Sequence, residues 1–336
     1  METILGYAAM ERGGELVPLR YLPPALKGND VRVSITHCGL CHTDINAIKD
    51  HYGITKYPIV PGHEIVGTVS EIGPSVKGLQ EGDRVGIGWQ GRSCKKCEWC
   101  RQGEEQLCQE IVKDATWSPY GGFSSSVAVD ERFAYKLPDG LPSESASVLM
   151  CAGVAVYSPL RSFLGHSSKK IGVVGVGGLG HLAIQFAHAM GYDVTALSSS
   201  PGKMDDALAF GADRFMDISD EKEIQRHEYE FDMLLCTADG QLRWEPLLSA
   251  LKKRGIIVLA GFPRLALNTT DLVAHELSIT GSFLGNRATM QEMLPFAYEH
   301  NIAPLIELMP MKQVNEAMRK LVENKARYRI VLVNDH

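Results

Sequence analysis

Four cysteines crowd together as Cys94-x2-Cys97-x2-Cys100-x7-Cys108. Four thiolates on one short loop can surround a single tetrahedral Zn²⁺ and leave no open coordination position, so this set reads as a structural metal site. An iron–sulfur cluster is the other common use of four cysteines. A second set is dispersed. Cys41 lies in Cys38-Gly-Leu-Cys-His-Thr-Asp44, His63 and Glu64 follow Gly62, and Cys151 sits in Met150-Cys-Ala-Gly-Val154. Two Cys and one His leave a fourth position for water or substrate, which is the pattern of catalytic zinc. Spacing alone does not choose Cys151 over Cys38 or Cys236, because a buried cysteine often serves only as a small apolar residue. His37, His42 and His51 lie near Cys41 and read as surface or packing histidines.

A third group binds phosphate. Gly175-Val-Gly177-Gly178-Leu179-Gly180 fits G-x-G-x-x-G between an apolar run and a helix-period segment, the context that gives this short motif its meaning. Gly175 allows the tight turn, Gly177 lets the pyrophosphate approach the backbone, and Gly180 lets helix and strand pack closely. An NAD site places a carboxylate about twenty residues on, against the ribose 2′-OH. Here the chain reads Leu197-Ser198-Ser199-Ser200-Pro-Gly-Lys203, with Asp193 ahead of the expected strand. Hydroxyls and an ammonium suit a 2′-phosphate, so the expected cofactor is NADP.

The elements that must carry these groups fall into two textures. Up to about Val148 the chain is rich in short strands, such as 31–36 and 65–72, broken by Pro23-Pro24, Gly73-Pro74 and Gly82-Asp83. From Lys170 strand and helix patterns alternate. Strands are expected at 171–174, 194–197, 231–236 and 256–260, and helices at 181–190 and 204–210. That alternation predicts a doubly wound parallel sheet. Helices at 288–299 and 312–323 and a strand at 329–333 close the chain. A new helix is expected to begin at Cys151.

Composition bounds the rest. At 336 residues the chain has room for two domains. Its net charge of −6 and lack of a Lys/Arg block argue against nucleic acid. No signal peptide is expected, and no stretch reads as the run of eighteen or more apolar residues that a membrane span needs. Cytoplasm is the expected compartment, where crowded cysteines bind metals rather than form disulfides.

Together these motifs resemble the zinc-containing medium-chain dehydrogenases, and within them the cinnamyl alcohol dehydrogenase family. Pro61-Gly-His-Glu-Ile-Val-Gly67, Cys151-Ala-Gly-Val-Ala-Val-Tyr-Ser-Pro159, Ile279-Thr-Gly-Ser-Phe-Leu-Gly285 and Arg327-Tyr-Arg329 stand in family order with the sets above. That context disfavours the iron–sulfur cluster. The resemblance implies an α/β fold, with a strand-rich GroES-like catalytic domain (1–152 and 287–336) and an inserted Rossmann domain (153–286). It implies two Zn²⁺ per chain: one held by Cys41, His63 and Cys151 with Glu64 beside it, the other by the four-cysteine loop. Asp44 would orient His63. Ser282, Phe283 and Asn286 belong to a segment that would lie along the nicotinamide and ribose through main-chain groups. The implied reaction transfers hydride between NADP(H) and a small alcohol or aldehyde, with Thr43 passing the proton. The implied assembly is a homodimer through a Rossmann edge strand within 277–284.

Trp89, Trp117, Tyr52 and Ile54 are candidates to line the substrate pocket. Two other functions compete. An NAD-dependent polyol or formaldehyde dehydrogenase would need the acid absent from 195–203. A non-catalytic zinc-stabilised nucleotide sensor would show an eroded catalytic set beside an intact four-cysteine loop, and here both sets are complete. One departure stands out. Many relatives carry a relay histidine three residues after the hydroxyl that corresponds to Thr43, where this chain has Asn46. Water taking the proton directly is the favoured route, with His51 the alternative.

Overall fold

The structure is a computed structural model that describes residues 3–110, 115–117, 119–164 and 170–334. Two compact units divide it. One comprises 1–151, 285–299 and 303–336, and the other 152–284 with 300–302.

The first unit is built on Asp30–Leu40, an eleven-residue strand. Val31, Val33 and Ile35 alternate into the core and are fully buried, as a strand with one packed face requires. Along its first half this strand pairs with Ser126–Asp130, and along its second half with Arg329–Val333, both antiparallel. Glu64–Ile72 pairs along the length of its other edge. The register sets Gly39 opposite Glu64 and Leu40 opposite Ile330. Two residues 265 apart in sequence, Glu64 and Arg329, thereby reach the same end of the sheet. Arg84–Ile87, Ala134–Lys136 and Ile306–Pro310 complete seven strands.

The second unit is a six-stranded parallel sheet. Its order is Arg214–Asp217, Asp193–Ser198, Lys170–Val174, Phe231–Cys236, Leu251–Leu259 and Ser278–Gly281. In chain order that is 3-2-1-4-5-6, the dinucleotide-binding arrangement. Val174, Leu197, Phe231, Leu234 and Trp244 form its core. Each expected strand is present within a few residues, as is the helix at Gly180–Ala189.

Three local expectations are corrected. No new helix begins at Cys151. Ser143–Val148 is already helical, and a π-helical turn, Leu149–Gly153, leads directly into Val154–Phe163. The apolar run continues through Cys151, and the wider turn rotates it relative to a regular helix; such turns are frequent at functional sites. The same 21-residue run, Ser143–Phe163, is long and apolar enough to cross a membrane by length and composition, although 78% of its most apolar window is buried inside the protein. Asp193 opens its strand rather than preceding it, and its carboxylate lies 3.3 Å from the Arg214 guanidinium.

Candidate active site and cofactor-binding turn

Asp44 organises the dispersed set. Its carboxylate accepts the main-chain N–H of Cys41 (3.0 Å), at the start of helix His42–Ile48, and that of Gly62 (2.9 Å), next to His63. The same Oδ1 lies 2.8 Å from His63 Nδ1. One fully buried side chain thereby ties the start of this helix to the Gly62–His63 segment. The bond also fixes the tautomer. Nδ1 carries the proton, so in the neutral ring Nε2 presents a lone pair. That Nε2 is buried with no hydrogen-bond partner among the described residues.

Ligand atoms of Cys41, His63, Glu64 and Cys151 all lie within 4.8 Å of one another. Burying such an atom unpaired is costly, and a divalent cation among these donors would satisfy it. A hydrogen bond from Cys151 pulls the Cys41 thiol well below its usual pKa, and the Cys151 thiol rises correspondingly. Burial opposes a charged His63, yet the Asp44 carboxylate raises its pKa well above the imidazole norm.

Glu64 is fully buried and ion-paired to Arg329. Burial pushes its carboxyl up to about 7 against the opposing pull of the guanidinium. Oε2 has no partner. A methyl group at Gly39 would come within 2.0 Å of that oxygen, so only glycine leaves it room. Sequence reasoning missed Arg329 as a site residue. The available signal was a lone cation opening the otherwise apolar strand Arg329–Val333.

Thr43 is half-buried in the first turn of its helix. Trp117 meets His63 edge-on, with ring centroids 5.3 Å apart, and Trp89 meets Trp117 at 5.2 Å. Tyr52 and Ile54 are exposed. Cys38 and Cys236 are buried in the two cores.

The four-cysteine loop brings its sulfurs within 4.8 Å of one another. Main-chain N–H groups aim at them: Cys97 at Cys94 Sγ (3.3 Å), and Cys94 and Glu110 at Cys108 Sγ (3.4 Å each). Donors around sulfur favour thiolates, the form that binds zinc, although at Cys108 burial outweighs them and raises the thiol. All eight cysteines are free of disulfides.

The glycine turn lies between Lys170–Val174 and helix Gly180–Ala189. Gly175 has φ of +93°. A methyl group on Gly180 would fall 1.8 Å from the Gly175 carbonyl oxygen, whereas one on Gly177 would meet nothing within 4 Å. Open space over Gly177 at a helix N-terminus leaves room for a phosphate. Gly178 and Leu179 complete the turn, and Leu179 stands just before the helix. Ser198 ends the neighbouring strand and is buried, while Ser199 and Ser200 are exposed beyond it. Lys203 Nζ donates to the Val176 carbonyl (2.6 Å), tying the serine loop to the glycine turn. Ser282 N–H donates to the Leu259 carbonyl (2.9 Å), and Phe283 is exposed.

Known proteins share this arrangement. Residues 27–139 match the alcohol dehydrogenase GroES-like domain, and residues 178–299 match the zinc-binding dehydrogenase domain. Aldehyde reductase AdhA of Synechocystis sp. is 38% identical, with 98% of each chain covered. A solved cinnamyl alcohol dehydrogenase of Sorghum bicolor is 38% identical and covers 99% of this chain and 98% of its own, with a TM-score of 0.93. The chain belongs to the zinc-containing medium-chain dehydrogenases, in the cinnamyl alcohol dehydrogenase family. It is an alcohol/aldehyde oxidoreductase. The corresponding enzyme from Helicobacter pylori, solved in complex with NADP(H), is 31% identical over 98% of both chains, with a TM-score of 0.89. For this dehydrogenase, likeness extends over nearly the full chain, both units included.

Proposed function

We propose that the enzyme interconverts aldehydes and primary alcohols using NADP(H), with one zinc at Cys41, His63 and Cys151 and a second in the four-cysteine loop. The orphaned Nε2 of His63, set by Asp44 among two thiols and a carboxylate, carries this reading. When bound, zinc would supply Lewis-acid polarisation of a carbonyl, and NADPH would supply hydride.

The chain's own residues do the positioning. Asp44 holds the His63 ring, and Arg329 holds Glu64 beside the ligand set. Thr43 is the hydroxyl that passes a proton to the product oxygen. Ser199, Ser200 and Lys203 would receive the 2′-phosphate, with Gly175 to Gly180 cradling the pyrophosphate. Ser282 to Asn286 would run along the nicotinamide ribose by main-chain groups. The paired indoles Trp117 and Trp89 favour aromatic or medium-chain aldehydes over very small polar ones.

The exposed edge strand Ser278–Gly281 supports a homodimer, and the cytoplasm is the compartment that suits eight free cysteines. Turnover of an aldehyde panel with NADPH and NADH, alongside metal analysis, tests the reading. Activity independent of zinc, or equal use of NADH, would overturn it.

A further inference from the structure

Two carboxylates in the four-cysteine loop reach the place where the chain re-enters the first unit. That re-entry falls between Leu284 and Gly285. Asn286 stands just before helix Arg287–Glu299, and its Oδ1 accepts both the main-chain N–H and the hydroxyl of Thr289, each at 2.8 Å. Its Nδ2 donates to Glu104 Oε1 at 3.2 Å. Arg287 donates to Glu105 Oε1 at 3.1 Å and to the Arg132 carbonyl at 3.0 Å. Glu105 is buried, and its second oxygen has no hydrogen-bond partner among the described residues. Both carboxylates fall between Cys100 and Cys108. Gln90 holds the same turn through the Glu105 carbonyl at 2.8 Å.

This arrangement is more than a loop anchor. The Asn286 amide is committed on both sides: its oxygen to the helix start, its nitrogen to the cysteine loop. Of the residues immediately before it, Ser282 is held by its N–H to the Leu259 carbonyl (2.9 Å), and 283–284 lie outside helix and strand. Leu284 has φ of +53°, an unusual conformation for a leucine that its surroundings must hold.

We propose that Glu104 and Glu105 are positioning residues: they carry the place of the four-cysteine loop to the Asn286–Arg287 turn, and so set the path of the main chain toward the cofactor. The loop thereby tunes NADPH affinity as well as stability. This inference rests on the reading above that Ser282 to Asn286 runs along the cofactor.

The test uses the zinc-loaded enzyme and the variants Glu104→Ala and Glu104→Ala/Glu105→Gln. Hydrogen exchange at the Thr289 amide reports the turn, and fluorescence titration with NADPH reports binding without catalysis. In the double variant, exchange at Thr289 accelerates and Kd and KM for NADPH rise about tenfold, a usual size for coupling between sites. The effect on kcat at saturating cofactor is smaller, and zinc content is unchanged. A double variant that melts earlier but binds NADPH like the wild type overturns the proposal. If the double variant does not fold, Glu104→Ala decides alone by the same criterion. A wild-type enzyme that does not bind NADPH would instead sink the functional reading itself.

Discussion

The ring of His51 is hydrogen-bonded to Asn46, with Nδ1 3.0 Å from the amide oxygen. Asn46 lies one turn after Thr43 on the same helix, so the two share a face. An amide cannot relay a proton near neutral pH, but it can hold an imidazole that does. The bond places the Nδ1 proton toward Asn46 and leaves Nε2 as the acceptor. If His51 completes the relay, His51→Gln should remove an ionisation from the pH–rate profile. It should also cost up to about 10²-fold in kcat where proton transfer limits the rate. If water suffices, the profile should be unchanged. Asn46→His provides the complement and should introduce an ionisation near the free imidazole value of about 6.5. Metal content must be intact in both variants.

Metal analysis should find two zinc ions per chain. Cys151→Ser should lose about one ion and all turnover with little change in the fold, because its site lies at one end of a sheet that packs without it. Cys97→Ser should lose the other ion and loosen the loop it organises, since structural zinc binding is also folding free energy. A Cys151→Ser protein that keeps both ions would show that the dispersed set is not a zinc site.

The glycine turn predicts a separation of stability from affinity. Gly180→Ala should destabilise the second unit, because its methyl group would overlap the Gly175 carbonyl. Gly177→Ala should leave the melting temperature almost unchanged, since it meets open space, yet weaken NADPH. Ser199→Asp should also weaken NADPH, by on the order of 1–3 kcal/mol, through like charge against the 2′-phosphate. Isothermal titration and thermal melts on the same three proteins check this. An unaltered Kd in Gly177→Ala would remove the phosphate from that turn.

Acid should loosen the second unit through Glu230. Burial raises its pKa, but hydrogen bonds from Arg214 and His227 prevail and hold it below the usual carboxylate value. With the folded value lower, the unfolded chain binds more protons in the acid range. Stability from this group is therefore present above about pH 4.3 and is lost as pH falls through the lower folded value. Glu230→Gln should start less stable near neutrality and lose less on acidification. Melting temperatures between about pH 5 and 3 report the slope, and parallel slopes in the two proteins would contradict it.

Much of this enzyme was legible in its sequence. The four-cysteine spacing, the glycine turn with its strand and helix, the missing acid after the second strand and the alternation of the Rossmann segments are all local. Short-range geometry and period determine them, so residue order suffices. The dispersed ligand set is different. Spacing could not separate Cys151 from Cys38, and the expected helix start at Cys151 became a π-helical turn within a longer helical run. Only the sheet register puts Arg329 against Glu64, by pairing both their strands with Asp30–Leu40. Only tertiary packing commits Asp44 to Gly62 and His63, or brings Glu104 to Asn286. Such contacts depend on which strand edges meet and in what register. That is decided by burial of apolar faces across the whole unit rather than by neighbours along the chain.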